Sequence, residues 1–420
     1  MNEKESRRLY EALLYNDTTF LTQMIRKDFD MSETVFQLPE WSVKYTPLQF
    51  VVRKNKFRLV DFLLENGVNP NVGMVNGDTP LIMSIKAGFH QISETLIISG
   101  ANTCKSDING KTSLYWAVDT KNKKIINLLL DYGAALTIHS ALLHAIDSNF
   151  LDMVQLLVER GAPVNVVSSE TPLTRAIKRG YLDIAKCLIE SGADVNLTDP
   201  YGTPLNIAIW KECWDIVKIL IENGADINFV EIYGTPLNIA IREERWDIVK
   251  FLIHNGADVN LTDIYGTPLS IAIRETCWDI VKFLIESGAD VNLADVDGNL
   301  PVKMCMEKRN FEILNHMIEK GLKVDAILAN TSLKWSLEME KVNLAKYFIE
   351  QGADVNQIYK NGQTLLSLAL KNSDLRSFRL LIESGADPRL AEVEINEKMT
   401  KDHDFAIYMK SLDLESKIKK

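Results

Sequence analysis

Between Gly202 and Tyr233, apolar and polar positions fall into two helical stripes separated by a polar break. The Thr203 hydroxyl can cap a first turn, and Pro204 suits the first helical position, where no N–H is needed. Leu205, Ala208 and Ile209 then recur at helical spacing on one face. After the break, Asp215 puts a carboxylate at the positive end of a second helix, whose buried stripe is Ile216, Val217, Leu220 and Ile221. Gly224 offers the left-handed conformation that ends such a helix. From Ile227 to Tyr233, β-capable residues and turn formers predict an extended finger. The element order is helix, turn, helix, finger, and neither helix can bury its stripe alone.

This order recurs almost verbatim at Tyr201–Ile232, Tyr233–Ile264 and Tyr265–Val296, each 32 residues long, and the first two copies share 23 of 32 residues. A fixed period in this range means one supersecondary unit stacked on its own copies, with neighbouring helices about 10 Å apart. Thr-Pro-Leu openings stand at Thr46, Thr79, Thr171, Thr203, Thr235 and Thr267, with degenerate versions at Thr112, Ser140, Leu300, Thr331 and Thr364. Eleven repeats, numbered here from Thr46, therefore cover residues 42–388 around the near-identical block 201–296. Helical segments at Arg8–Arg26 and about Leu390–Leu414 read as end caps within residues 1–41 and 389–420. From a closing glycine to the next opening takes 11 or 12 residues in most repeats, but only seven from Gly133 to Ser140. The finger of repeat four is thus nearly absent, which predicts a notch between repeats three and four.

Composition bounds the class. Among 420 residues, 46% are hydrophobic and 25% charged, as in a soluble folded protein. The N-terminal segment lacks the apolar core of a signal peptide, and no apolar run approaches a membrane span. Five scattered cysteines without CxxC spacing fit free thiols in a reducing compartment, so an intracellular location, cytoplasmic or nuclear, is expected. The net charge of −10 opposes non-specific nucleic-acid binding. No Walker loop, G-x-S-x-G, H-E-x-x-H or EF-hand pattern is present, and the six histidines lack metal spacing. No catalytic residue, metal site or cofactor is assigned, and the chain is read as a non-enzyme.

The Thr-Pro-Leu openings and the Gly-Ala-Asp closings at Gly192, Gly224, Gly256, Gly288, Gly352 and Gly385 resemble the ankyrin repeat. The resemblance implies a mainly all-α solenoid of helix–turn–helix units with short β-fingers, forming a curved rod. It departs from the family in one respect throughout. The His that follows Thr-Pro-Leu is replaced, by Gln49, Ile82, Thr174, Asn206, Asn238 and Ser270 among others, so its hydrogen bonds must be made otherwise or lost. Between the paired helices the family favours Gly, as at Gly88 and Gly180, or a left-hand-tolerant residue such as Asn55, Asn122 and Asn149. Glu212, Glu244 and Thr276 hold that position in the near-identical block, which predicts a turn of another shape there.

Variation among the three copies concentrates at the end of the first helix and in the fingers, which marks surface. The family's usual contact positions select a similar set, lining the concave side. They are Pro200, Tyr201, Trp210 and Lys211, then Ile232, Tyr233, Arg242 and Glu243, then Ile264, Tyr265, Arg274 and Glu275. Tyr and Arg suit binding anchors because each combines contact area with a polar handle. Trp214, Trp246 and Trp278 are secondary candidates, read first as filling space at the start of the second helix. The Asn residues after the closings (Asn196, Asn228, Asn260, Asn292, Asn356) are read first as bonding their own backbone to stabilise the turn. In ankyrin proteins the equivalent Asn can also be an oxygenase target. The expected function is a scaffold that grips another protein on its concave face, chiefly on repeats six to eight. The alternatives are a nucleotide or RNA sensor using aromatics with Arg242, Arg245 and Arg274, or a substrate adaptor.

Overall fold

Each first helix begins where its threonine stops the chain from continuing as a finger. Thr46, Thr79, Thr112, Thr171, Thr203, Thr235, Thr267 and Thr364 all lie extended, and each side-chain oxygen accepts from the backbone N–H three residues on. Proline follows six of them, where its ring costs no hydrogen bond. In this computed structural model, which describes residues 3–27, 29–32, 34–36, 44–72, 77–359 and 362–411, the result is 26 α-helices, two 3-10 turns and no β-sheet among the described residues. The boundary expected at residues 41/42, and the tail beyond residue 411, lie outside the described residues.

The chain forms two compact units, Met1–Asp226 with repeats one to six and Ile227–Lys420 with repeats seven to eleven. Within each unit first helices pack on first helices and second on second. The first helix is therefore buried nearly all round: in Pro236–Arg242 every residue but Arg242 is buried. The second helix is buried on one stripe only, Ile248, Val249 and Leu252 in Trp246–His254, because its other side meets water. The N-terminal segment holds two helices, Glu3–Tyr15 and Thr18–Ile25, broken at Asn16 with φ +58°. At the other end lie Glu392–Lys401 and His403–Ser411.

The turn between paired helices keeps one shape in every repeat. The residue nine after each opening position has positive φ throughout, and Glu212 (+57°), Glu244 (+55°) and Thr276 (+59°) adopt it as Gly88 and Gly180 do, in the same left-handed well. The expectation of another turn shape is therefore corrected: stacking on both sides fixes the turn and overrides local preference. Register is corrected too, since Lys121 (+53°) and not Asn122 takes the left-handed position in repeat three. Asn122 instead caps the second helix, its side chain accepting from Ile125 N–H at 3.1 Å.

Among the described residues, two repeats lack a finger. In repeat four the chain passes from Gly133 through a 3-10 turn, Ala134–Thr137, straight into the helix Ile138–Asp147, so Ser140 lies inside the helix and does not open it. Repeat ten does the same by a longer route: Asp325 caps the helix Ala326–Glu338, and Thr331 lies inside it, its hydroxyl bonded to Ile327 O at 3.0 Å. The joint before repeat four is no open notch. Tyr115 stacks on His144 with ring centroids 3.8 Å apart, and His144 Nε2 lies 3.0 Å from Asp119 Oδ1.

Candidate finger-tip binding surface

The fingers of the near-identical block are tight turns closed by a single bridge pair, Asp199 with Gly202, Glu231 with Gly234 and Asp263 with Gly266. The finger carboxylate works in two directions. Asp263 Oδ1 accepts from Tyr265 N–H at 2.8 Å and folds its own turn, while Oδ2 accepts from Thr235 N–H at 2.9 Å and Asn238 Nδ2 at 2.8 Å in the preceding repeat. In the first unit Asp199 does the same for Tyr201 N–H at 2.8 Å and Thr171 N–H at 3.2 Å, and Thr174 Oγ1 also donates to it. Gly266, at φ +126°, has no room for a side chain, since a Cβ there would lie 2.5 Å from Ser270 Oγ. Three of the residues that stand in for the family's His thus bond the next finger, Thr174, Asn238 and Gln49, which reaches Asp78 O at 3.1 Å, whereas Ser270 donates to its own cap at Thr267 O, 2.9 Å away.

The residue seven after the cap closes the same joint from the other side. In the second unit the Arg242 guanidinium lies 4.2 Å over the Tyr265 ring and donates to Tyr233 O at 3.3 Å. Arg274 donates to Tyr265 O at 3.1 Å and pairs with Asp295 at 3.6 Å. In the first unit Lys178 Nζ stands 3.5 Å over the Tyr201 ring and 2.8 Å from Glu170, and Lys86 meets Asp78 at 2.7 Å and Asp107 at 3.2 Å. Arg242, Arg274, Tyr201 and Tyr265 are therefore brought together as joint-forming groups, and the two arginines are engaged within the chain. Lys86, Lys178, Asp107, Asp263 and Glu170 were missed as members of this network. A cation seven residues after most of the capping threonines, with an acid in the next finger, was the available signal.

What the fingers hold up to water is aliphatic. In the second unit Ile232, Ile264 and Val296, one per finger, are 69%, 63% and 51% exposed. Pro200 and Tyr201 (47%) are exposed at the equivalent finger of the first unit, as is Lys211. Glu243 and Glu275 are exposed beside the arginines, while Tyr233, Tyr265 and Trp210 are half-buried. The tryptophan row lies elsewhere, at the start of the second helices, and is half-buried throughout. Trp246 meets the edge of Phe283 in the next repeat at 5.2 Å and is covered by Lys250 at 4.5 Å; Lys218 covers Trp214 at 4.7 Å. These contacts are packing.

The Asn residues after the closings do not serve their own turn, as was expected of them. Asn228 Nδ2 donates to Gly256 O at 3.1 Å and its Oδ1 accepts from Asp258 N–H at 2.8 Å, both in the following repeat; Asn196, Asn260, Asn292 and Asn356 repeat the clip. The local turn belongs to the preceding Asp, whose carboxylate accepts from the Asn N–H, as Asp258 does from Asn260 at 2.8 Å.

Five cysteines are free, and burial pushes the Cys305 thiol up to about 12. Among the described residues no three His, Cys, Asp or Glu side chains cluster to hold a metal, and no single helix is long and apolar enough to cross a membrane.

Against known proteins, the family model described as ankyrin repeats matches in seven overlapping stretches, from residues 9–107 to 302–392. The chain is 30% identical over 134 residues to the B-cell lymphoma 3 protein homolog of Mus musculus, covering 30% of each. It is 30% identical over 86 residues to the E3 ubiquitin-protein ligase XBAT33 of Arabidopsis thaliana, covering 20% of this chain and 17% of that one. The solved ankyrin repeat domain of Bcl-3 is similar at a TM-score of 0.44 and 26% identity, over 49% of this chain and 99% of that one. The matches span less than a third of the length of the first curated relatives. Family models that cover the array almost end to end, on a stack of capped helix pairs, leave one assignment: the chain belongs to the ankyrin repeat family, whose repeats generally mediate protein–protein interaction and are typically not enzymes, though some relatives join them to ligase domains.

Proposed function

We propose that this chain is a scaffold that binds a partner protein across its finger tips and the ends of its first helices, the concave side in an ankyrin stack. The observation that carries this reading is the row of exposed aliphatic tips Ile232, Ile264 and Val296, set on fingers whose own polar groups are already paired. Burying one such side chain against a partner is worth about 1.5–3 kcal/mol, and a rigid support loses little entropy on binding. Exposed Glu243 and Glu275 beside the row supply a polar rim. The engagement of Arg242, Arg274, Lys178 and Lys86 within the chain weighs against a phosphate-bearing partner, as does the net charge. Free cysteines agree with a reducing compartment, so the cytoplasm or nucleus is where the partner is to be sought.

The test is quantitative affinity purification with the wild type and with Ile232→Ser, Ile264→Ser and Val296→Ser combined. These positions are exposed, so the fold is retained, and a specific partner is expected to be lost from the variant. Partners recovered equally by both proteins would refute the surface.

A further inference from the structure

Each joint of the second unit, from repeat seven to repeat eleven, shows a long aliphatic side chain to water. Ile232, Ile264 and Val296 stand on the fingers before repeats seven, eight and nine, and Ile358, 59% exposed, stands on the finger before repeat eleven. The joint before repeat ten has no finger, yet it keeps the feature. Its helix Ala326–Glu338 is 13 residues long, against seven for Pro268–Arg274, and the extra turns lie at the end from which the other fingers arise. The second residue of that helix, Ile327, is 79% exposed. The fingerless joint of the first unit does likewise, with Leu136 90% exposed on the 3-10 turn Ala134–Thr137.

Apolar residues scattered singly over a surface need no explanation, but these are not scattered. Between residues 231 and 374, Ile232, Ile264, Val296, Ile327 and Ile358 are the only large hydrophobic side chains so exposed among the described residues, and they follow one another at intervals of 32, 32, 31 and 31 positions. Loss of a finger has therefore not cost the row its rung. With stacked helices about 10 Å apart, the rungs recur at about that step. An extended strand cannot match them, because three residues span about 10 Å but then face the opposite way. In an α-helix seven residues rise about 10.5 Å and return to within about 20° of the same face.

Charge narrows the match. Residues 227–300 hold twelve Asp and Glu against five Lys and Arg. Those five, Arg242, Arg245, Lys250, Arg274 and Lys282, are all engaged within the chain. Asp297, next to Val296 on the same finger, is exposed. The field over repeats seven and eight is thus negative and favours a cationic partner. A helix carries the residues three and four positions from a rung within about 60° of it, turned towards this surface. A polyproline segment, at about 9.3 Å for three residues, turns them about 120° away.

Resting on the finger-tip reading above, we propose the class of partner that the row accepts: an amphipathic α-helix with an aliphatic residue at every seventh position and Lys or Arg flanking it. The helix lies along the tips, and Ile327 is part of the contact.

The probe is a fluorescein-labelled peptide of four heptads, built from Ala, Gln and Lys with Leu at every seventh position, titrated against the full chain by fluorescence anisotropy. Saturable binding is expected, at least about tenfold tighter than for a peptide of the same composition whose leucines are placed at every fifth position and spiral around the helix. Equal composition removes general charge attraction from the comparison. Glu in place of every Lys is expected to abolish binding. Ile327→Ser is expected to weaken binding at least about fivefold, a loss on the order of 1 kcal/mol. Ile98→Ser, at an isoleucine exposed on a second helix of the first unit, is expected to change nothing. No saturable binding in the millimolar range, equal binding of the two leucine spacings, tighter binding of a polyproline peptide with Leu at every third position, or indifference to Ile327→Ser overturns the helix. Each of these leaves the finger-tip surface standing if the combined tip variant still loses its partner, and that surface fails separately if it does not.

Discussion

Replacing Asn260 by Ala removes the clip between repeats seven and eight and nothing else of size. Two hydrogen bonds go: Asn260 Nδ2 to Gly288 O at 3.2 Å, and Asp290 N–H to Asn260 Oδ1 at 2.7 Å. A net intramolecular hydrogen bond is worth about 0.5–1.5 kcal/mol. Asp290 is exposed and Asn260 half-buried, so water re-solvates part of what is uncovered, and the lower half of that range applies. The expected loss is about 1–2 kcal/mol, all of it in the term that couples one repeat to the next. A long array need not unfold in one step, so a global midpoint is a poor reporter. Native-state hydrogen exchange at the Asp290 amide reads the joint directly and is expected to quicken about 5–30-fold. The control is Asn255→Ala, whose Nδ2 bonds Phe251 O at 2.8 Å within its own helix and touches no joint. Asp290 exchange that is unchanged in Asn260→Ala, or equally quickened in Asn255→Ala, would refute the clip.

The left-handed turns and the finger carboxylates give two further tests. Thr276 is β-branched at φ +59°, a conformation costing an L-residue about 1–2 kcal/mol, against about 0.5–1 kcal/mol of extra chain entropy for glycine. Thr276→Gly is therefore expected to slow native-state hydrogen exchange at the Cys277 amide, which bonds Ala272 O at 3.0 Å across this turn, and faster exchange would show that the threonine side chain packs usefully. Burial alone would push the Asp107 carboxyl up, but the N–H groups of Lys111 and Asn109, then Lys86 and Trp116, hold it below its ordinary 3.8. The folded value is the lower one, so this stabilisation is complete above the unfolded value and is lost as pH falls below about 4 through the folded value. Exchange at the Lys111 amide is expected to quicken across that acid window in the wild type but not in Asp107→Asn, where an equal response would exclude Asp107 as the titrating group.

The array was legible because its signals are local. A capping Thr, a Pro at the first helical position and a glycine at each closing act within a few residues of themselves, and the register followed from them. Turn shape at Glu212, Glu244 and Thr276 was not legible, because propensity was outvoted by stacking on both sides. Ser140 and Thr331 matched the spacing of an opening but not its context, since no finger precedes them and the helix simply runs on. The partners of Asn260, Asp263 and Arg242 were hidden for a different reason. Each meets a residue some 23–28 positions away, a distance at which a single sequence offers no rule except the period itself. The candidate residues were chosen by position, and among them the arginines expected to reach outward are bound within the chain, while Ile232 and Ile264 stand exposed.

Those joint bonds also explain how the near-identical block can exist. The polar contacts across its joints link fixed positions of adjacent repeats: Asn to the next closing glycine, the finger acid to the previous cap, the cation to the next finger. A duplicated 32-residue segment therefore brings both halves of each bond with it, and the new joint fits without compensating change. Positions outside these pairs, such as Lys211, Glu243 and Glu275, vary between copies at little structural cost. A joint that lacks its finger falls outside the scheme and is closed by other groups: before repeat four, Tyr115 stacks on His144, a pair found at no other joint among the described residues.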